Sequence, residues 1–132
     1  MKKAIEDWLN FADKDIELSE TIFKLADAER FMSFVAFHCQ QAVEKYFKAF
    51  ILENKLPLLK IHNLVKLYSD IKRFNDLDID ADLLGLLNNA YVKTRYPANI
   101  GLVADNVPSL EQSLGFLNLA KDVAKKIRKA LS

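Results

Sequence analysis

Residues 31–53, FMSFVAFHCQQAVEKYFKAFILE, decide the fold. Phe31, Phe34, Val35, Phe37, Ala42, Val43, Tyr46, Phe47, Ala49, Phe50 and Ile51 recur at helical steps and cover most of a helix circumference. A helix that is apolar nearly all round belongs at the centre of a bundle or in an interface. Its polar residues Gln41, Glu44, Lys45 and Lys48 are spaced by three and four, so they share one face. That strip has two readings. In one it is the solvated edge of an otherwise buried helix, with Glu44 and Lys48 ordered for an i, i+4 pair. In the other the lysines meet an anionic ligand while flanking rings cover a base. The solvated edge is the expectation.

The neighbouring segments repeat the helical pattern. Ile5, Leu9, Ala12, Ile16, Ile22, Phe23 and Ala26 form a stripe among acids and lysines. Lys55, Leu56 and Pro57 stop the central helix, since proline lacks the N–H and its ring clashes with the preceding turn. Leu64, Leu67, Tyr68 and Ile71 predict a short helix with His62 or Asn63 near its start. Acids at Asp76, Asp78, Asp80 and Asp82 introduce a fourth helix, which ends by about Arg95 because Pro97 holds Tyr96 extended. Ser109 and Gln112 read as a capping box that opens the last helix. No apolar alternation persists long enough for a sheet. The expectation is all-α: an antiparallel up-and-down bundle of four main helices plus one short helix, in a single domain over residues 1–132.

Composition narrows the function. Only 3 Gly disfavour a glycine-rich phosphate loop, and 19 basic against 18 acidic residues leave a net charge of +1, too small to pull the whole protein onto nucleic acid or membrane. The charge is uneven, however. Residues 1–20 carry three lysines against six acids, whereas residues 121–132 carry five basic residues against one acid, so two neighbouring terminal helices would face each other with opposite signs. One cysteine forms no internal disulfide, and the acids at Glu6 and Asp7 do not suit a signal peptide, so the expected location is the cytoplasm, with no membrane partner.

Few residues suggest chemistry. One Cys and two His are a poor zinc set, and a calcium loop begun at Asp76 or Asp78 lacks the sixth-position glycine while one begun at Asp80 has Gly85 but Tyr91 in place of the glutamate, so no metal or cofactor is expected. Acids at a helix N-terminus account better for that run. Cys39 with His62 could in principle form a nucleophile and base, but a cysteine inside an apolar helix behaves as a small hydrophobe. His38 reads as a hydrogen-bonded histidine at the core edge. Arg95, at a helix C-terminus, is either a fork for phosphate or a partner of the helix dipole.

W8LNFADKDI, F37HCQQAVEKYFKAFI, H62NL and T94RYP together resemble the HEPN (higher eukaryotes and prokaryotes nucleotide-binding) family over nearly the whole chain. The resemblance implies a helical bundle, a homodimer, and a minimal nucleotidyltransferase partner in a toxin–antitoxin-like pair. In ribonuclease members an Arg is followed after four to six residues by a catalytic His. The Arg maps onto Arg95, and positions 100–102 hold Ile, Gly and Leu, none of which can move a proton. The expected protein therefore binds a nucleotide or RNA phosphate without catalysis, through Arg95 and Tyr96, with Lys45, Lys48, His62 and Asn99 as further candidates. The alternatives are a metal-independent ribonuclease with His38 or His62 brought to Arg95, and a purely structural dimerisation module.

Overall fold

The computed structural model describes residues 2–58, 60–95 and 107–132, with side chains described throughout these segments except at 91–95. Among the described residues there are α-helices α1 (Lys3–Phe23), α2 (Met32–Glu53), α3 (Leu64–Phe74), α4 (Ala81–Arg95) and α5 (Leu110–Leu131), a short 3-10 turn at Ala28–Phe31, and no strand. This is the all-α bundle expected from periodicity.

The central helix lies at the centre of the bundle. Val35, Cys39, Val43, Phe47 and Phe50 of α2 are buried, and α2 packs against each of the other four α-helices. Two side-chain contacts fix its register on α1: the Tyr46 hydroxyl donates to Asp13 Oδ1 at 2.5 Å, and the Cys39 thiol donates to Ser19 Oγ at 3.7 Å. Higher numbers on one helix meet lower numbers on the other, so α1 and α2 are antiparallel. The oppositely charged terminal helices meet as expected, with Lys121 on Glu20 at 2.7 Å and Arg128 on Asp13 at 2.5 Å, which sets α5 antiparallel to α1.

The short helix departs from the up-and-down alternation. Phe47 stacks on Tyr68 with centroids 5.9 Å apart, and Phe50 meets Phe74 edge-on at 6.0 Å, so α3 runs in the same direction as α2. The chain leaves α2 through a Schellman turn: Leu56 N–H donates to Ile51 O at 3.0 Å and Lys55 N–H to Leu52 O at 3.1 Å, with Lys55 left-handed at φ 55°. The following loop then returns along α2 before α3 begins. Helix α4 reverses direction beside α3, held where Leu64 N–H donates to Asn88 Oδ1 at 3.0 Å and Ile79 N–H to the Tyr68 hydroxyl at 3.0 Å. Helices α1, α2, α4 and α5 thus alternate, and α3 is the short addition.

The acidic run serves local structure. Asp76 Oδ1 accepts from Asp78 N–H at 2.9 Å, and Asp80 Oδ1 accepts from Leu83 N–H at 3.0 Å to cap α4. Ser109 and Gln112 form the capping box of α5. No described helix is long and apolar enough to cross a membrane.

Tyr46 is fully buried, and its hydroxyl is the link from α2 to the Asp13–Arg128 pair. Burial and the neighbouring Asp13 carboxylate hold that hydroxyl protonated far above the ordinary tyrosine range. Tyr46→Phe should keep the fold and lower stability by about 1.5–3 kcal/mol, the range for a hydrogen bond to a charged group. Urea unfolding checks this.

Candidate functional site

Gln40 and Glu44 lie one turn apart on α2 and face the chain that leads into α3. The Glu44 carboxylate accepts from Lys48 Nζ at 2.8 Å, from His62 Nδ1 at 3.0 Å and from Gln40 Nε2 at 3.2 Å. The same Gln40 amide donates to the His62 carbonyl at 3.1 Å, and its oxygen accepts from Gln41 Nε2 at 2.9 Å. Next in sequence, Asn63 caps α3 by accepting from Val65 and Lys66 N–H at 3.0 and 3.1 Å. Both halves of the motif pair, HCQQAVEK and HNL, therefore meet on one buried carboxylate.

The polar strip on α2 is not the solvated edge expected from its spacing. Glu44 is only 6% exposed, and the Lys48 side chain only 12%, although their i, i+4 pair forms. The returning loop, which periodicity does not reveal, carries His62 across the strip. Burial pushes the Glu44 carboxyl upward. Hydrogen bonds from Lys48, His62 and Gln40, with the charge on Lys48, outweigh burial and hold it below the ordinary glutamate range.

His62 is held but not covered. Its side chain is 61% exposed, and because a carboxylate only accepts, Nδ1 carries the proton that meets Glu44. The other ring nitrogen is left as an acceptor when the imidazole is neutral and a donor when it is charged.

A second carboxylate organises the α1–α2 seam. Asp15 accepts from His38 Nδ1 at 3.0 Å and from Lys45 Nζ at 2.6 Å, so His38 is the hydrogen-bonded core-edge histidine anticipated from sequence. Lys45 also lies 5.6 Å from the Phe11 ring centroid, beside an open cavity of about 540 Å³ lined by Ala4, Asp7, Trp8 and Phe11 together with Lys45 itself. Cys39 is fully buried, and burial pushes its thiol up to about 12, so it is a neutral packing group.

Of the residues proposed from sequence, Lys48 and His62 come together on Glu44, while Lys45 is drawn to a different carboxylate. Arg95 is the last residue of α4, seven residues or about 10 Å of helix beyond Asn88, which is tied to the head of α3. The Arg95 side chain, Tyr96 and Asn99 lie outside the described residues. Gln40, Asp15, Trp8 and Phe11 fall within the motifs W8LNFADKDI and F37HCQQAVEKYFKAFI, but helical spacing assigns none of them a role. An amide at Gln40 inside an apolar face was the available signal for the first.

The model of the HEPN domain matches residues 5–130. The chain belongs to the HEPN family. The crystal structure of TT1696 from Thermus thermophilus is similar in fold, with a TM-score of 0.76 and 23% sequence identity over 97% of this chain and 98% of that one. No curated protein matches the chain. Membership in the HEPN family supports a nucleotide- or RNA-related function in general terms, and the Gln40–Glu44–His62 junction shows what its paired motifs do physically in this HEPN domain.

Glu44 predicts an acid dependence with a definite sign. A carboxyl held lower in the folded than in the unfolded chain stabilises fully above the unfolded value of about 4.3, and that contribution is lost as pH falls through the folded value. Glu44→Gln should cost roughly 3 kcal/mol at pH 7, as expected for removing one partner of a buried ion pair. The gap between wild type and variant should narrow below about pH 4.3 in urea titrations run across pH.

Proposed function

We propose that this HEPN domain binds a nucleotide or RNA phosphate without catalysis and acts as an assembly module, as a homodimer beside a minimal nucleotidyltransferase in a toxin–antitoxin-like pair. Arg95 and Tyr96, with Asn99, supply the primary grip on phosphate and base. Lys48 and His62 contribute from the Glu44 junction, whereas Lys45, held on Asp15 at the α1 seam, stands apart from them. The observation that carries this reading is the sequence beyond Arg95: residues 100–102, where a ribonuclease histidine would follow, are Ile, Gly and Leu, and His38 is held on Asp15 in the α1–α2 seam. A guanidinium grips phosphate through its planar fork of donors and needs no proton shuttle to do so.

Assembly finds support in the apolar surface. Leu86 is 59% exposed beside a cleft of about 280 Å³ between α4 and α5, lined also by Pro108, Gln112, Gly115 and Phe116. Such open apolar area on a small domain suits a second copy or a partner chain.

A second reading, ribonuclease activity through a displaced histidine, is favoured by His62 alone. A carboxylate behind Nδ1 and an exposed far edge form the arrangement that orients a general base.

Titration with ATP and short RNAs should give saturable binding that Arg95→Ala weakens about tenfold or more, consistent with loss of a charged hydrogen bond, while labelled RNA stays intact. Failure to bind millimolar nucleotide or RNA would remove the ligand half of the proposal. If the RNA is cut and both Arg95→Ala and His62→Ala stop the cutting, the second reading replaces the first. Light scattering should report a dimer that Leu86→Asp shifts to monomer, and the neighbouring nucleotidyltransferase should co-purify with the wild-type chain.

A further inference from the structure

The cavity on the outer face of the α1–α2 seam is lined by groups that the Glu44 junction does not use. Trp8 and Phe11 lie three residues apart on α1, so their side chains share one face. Phe11 is 61% exposed, an unusual position for a ring on a helix whose other stripe is buried. Two ammonium groups approach that ring, Lys14 at 5.8 Å and Lys45 at 5.6 Å from its centroid. Lys45 is fixed in place by Asp15, whereas Lys14 is exposed.

The groove is also polar from end to end. Asp7, whose carboxylate is 3.6 Å from the exposed Lys3 ammonium, lines it one turn before Phe11, and Lys14 stands one turn after. Along α1 the sequence of groups is carboxylate, aromatic face, ammonium, spread over seven residues or about 10 Å. A ligand that satisfies all three has a donor at one end, a flat π-face in the middle and a negative charge at the other. An adenine- or cytosine-type nucleoside monophosphate fits: its exocyclic amine donates to Asp7, its base stacks on Phe11 and Trp8, and its phosphate meets Lys14 and Lys45. The volume of about 540 Å³ lies within the range of small-ligand sites.

We infer that the Trp8–Phe11–Lys45 groove is a binding site for an amine-bearing nucleoside monophosphate, selected by Asp7 at the base end and by Lys14 at the phosphate end. This deepens the nucleotide-binding reading above and rests on it, but places a ligand on α1 rather than at the end of α4.

Trp8 is the only tryptophan of the chain, so its fluorescence reports on the groove directly. Titration with AMP should quench Trp8 saturably. Ribose 5-phosphate, which has no base, should not quench it. Purine riboside 5′-monophosphate, which lacks the amine, should bind several-fold more weakly than AMP, and Asp7→Ala should erase that difference. Phe11→Ala and Lys14→Ala alter exposed side chains, and each should weaken AMP about tenfold, the scale of a lost base stack or charged contact. Absence of saturable quenching, or equal binding of the two nucleotides by the wild type, overturns the assignment. Calorimetry run in parallel separates the two proposals. Heat of AMP binding that Phe11→Ala leaves unchanged overturns the groove and keeps nucleotide binding elsewhere; no heat with AMP but heat with ATP or short RNA overturns the groove alone, and no heat with any of the three overturns both.

Discussion

The arrangement depends on a buried carboxylate that is never left alone. Glu44 sits in the middle of the most buried helix, where an ionised group without partners would cost several kcal/mol. Lys48 comes from its own helix, Gln40 from one turn before, and His62 from the far end of a returning loop. The first two are local and would form in any helix of this sequence. The third requires the loop to fold back, so the need to satisfy Glu44 selects the path of the chain between α2 and α3. Gln40 reinforces that path by binding the His62 backbone, which leaves the imidazole free to face outward.

Helix α2 explains why such a device is needed. It packs on every other α-helix, so little of its circumference is open to water. A helix in that position is expected to be apolar all round, and α2 nearly is. Four of its exceptions are matched to a neighbouring element: Lys45 and His38 to Asp15 on α1, Tyr46 to Asp13 on α1, and Glu44 to the head of α3. Asp13 extends the chain of contacts to Arg128 of α5. Polar groups at these positions act as addresses, specifying which partner and which register, where apolar packing alone would accept several.

Much of this architecture is readable from spacing. The stripes of α1 and α5, the all-round apolarity of α2, the stop at Pro57 and the Ser109–Gln112 box are local signals, and each corresponds to an observed element. The attraction between the acidic first helix and the basic last one was also visible, because net charge survives without knowing rotamers. What spacing could not show is contact between distant segments. The strip Gln41, Glu44, Lys45 and Lys48 looks solvated until the loop carrying His62 is laid on Glu44 and α1 brings Asp15 to Lys45. The parallel course of α3 along α2 is likewise set by side-chain pairs such as Phe47 with Tyr68, which no one-dimensional period encodes. The groove at Trp8 and Phe11 needed two helices side by side before Lys45 could reach the ring.

The seam between α1 and α5 bears on how the chain assembles in time. The α1–α2 hairpin closes through residues only about twenty to thirty apart, as with Ser19 and Cys39 or Asp15 and Lys45. The Arg128–Asp13 contact, by contrast, spans 115 positions. Closing a short segment costs less chain entropy than closing nearly the whole polypeptide, so the hairpin is the natural nucleus and the last helix docks onto it afterwards. Its docking edge carries opposite charges that act over a distance before side chains interlock, and because the Lys121–Glu20 and Arg128–Asp13 pairs are exposed, salt screens the attraction that guides this step.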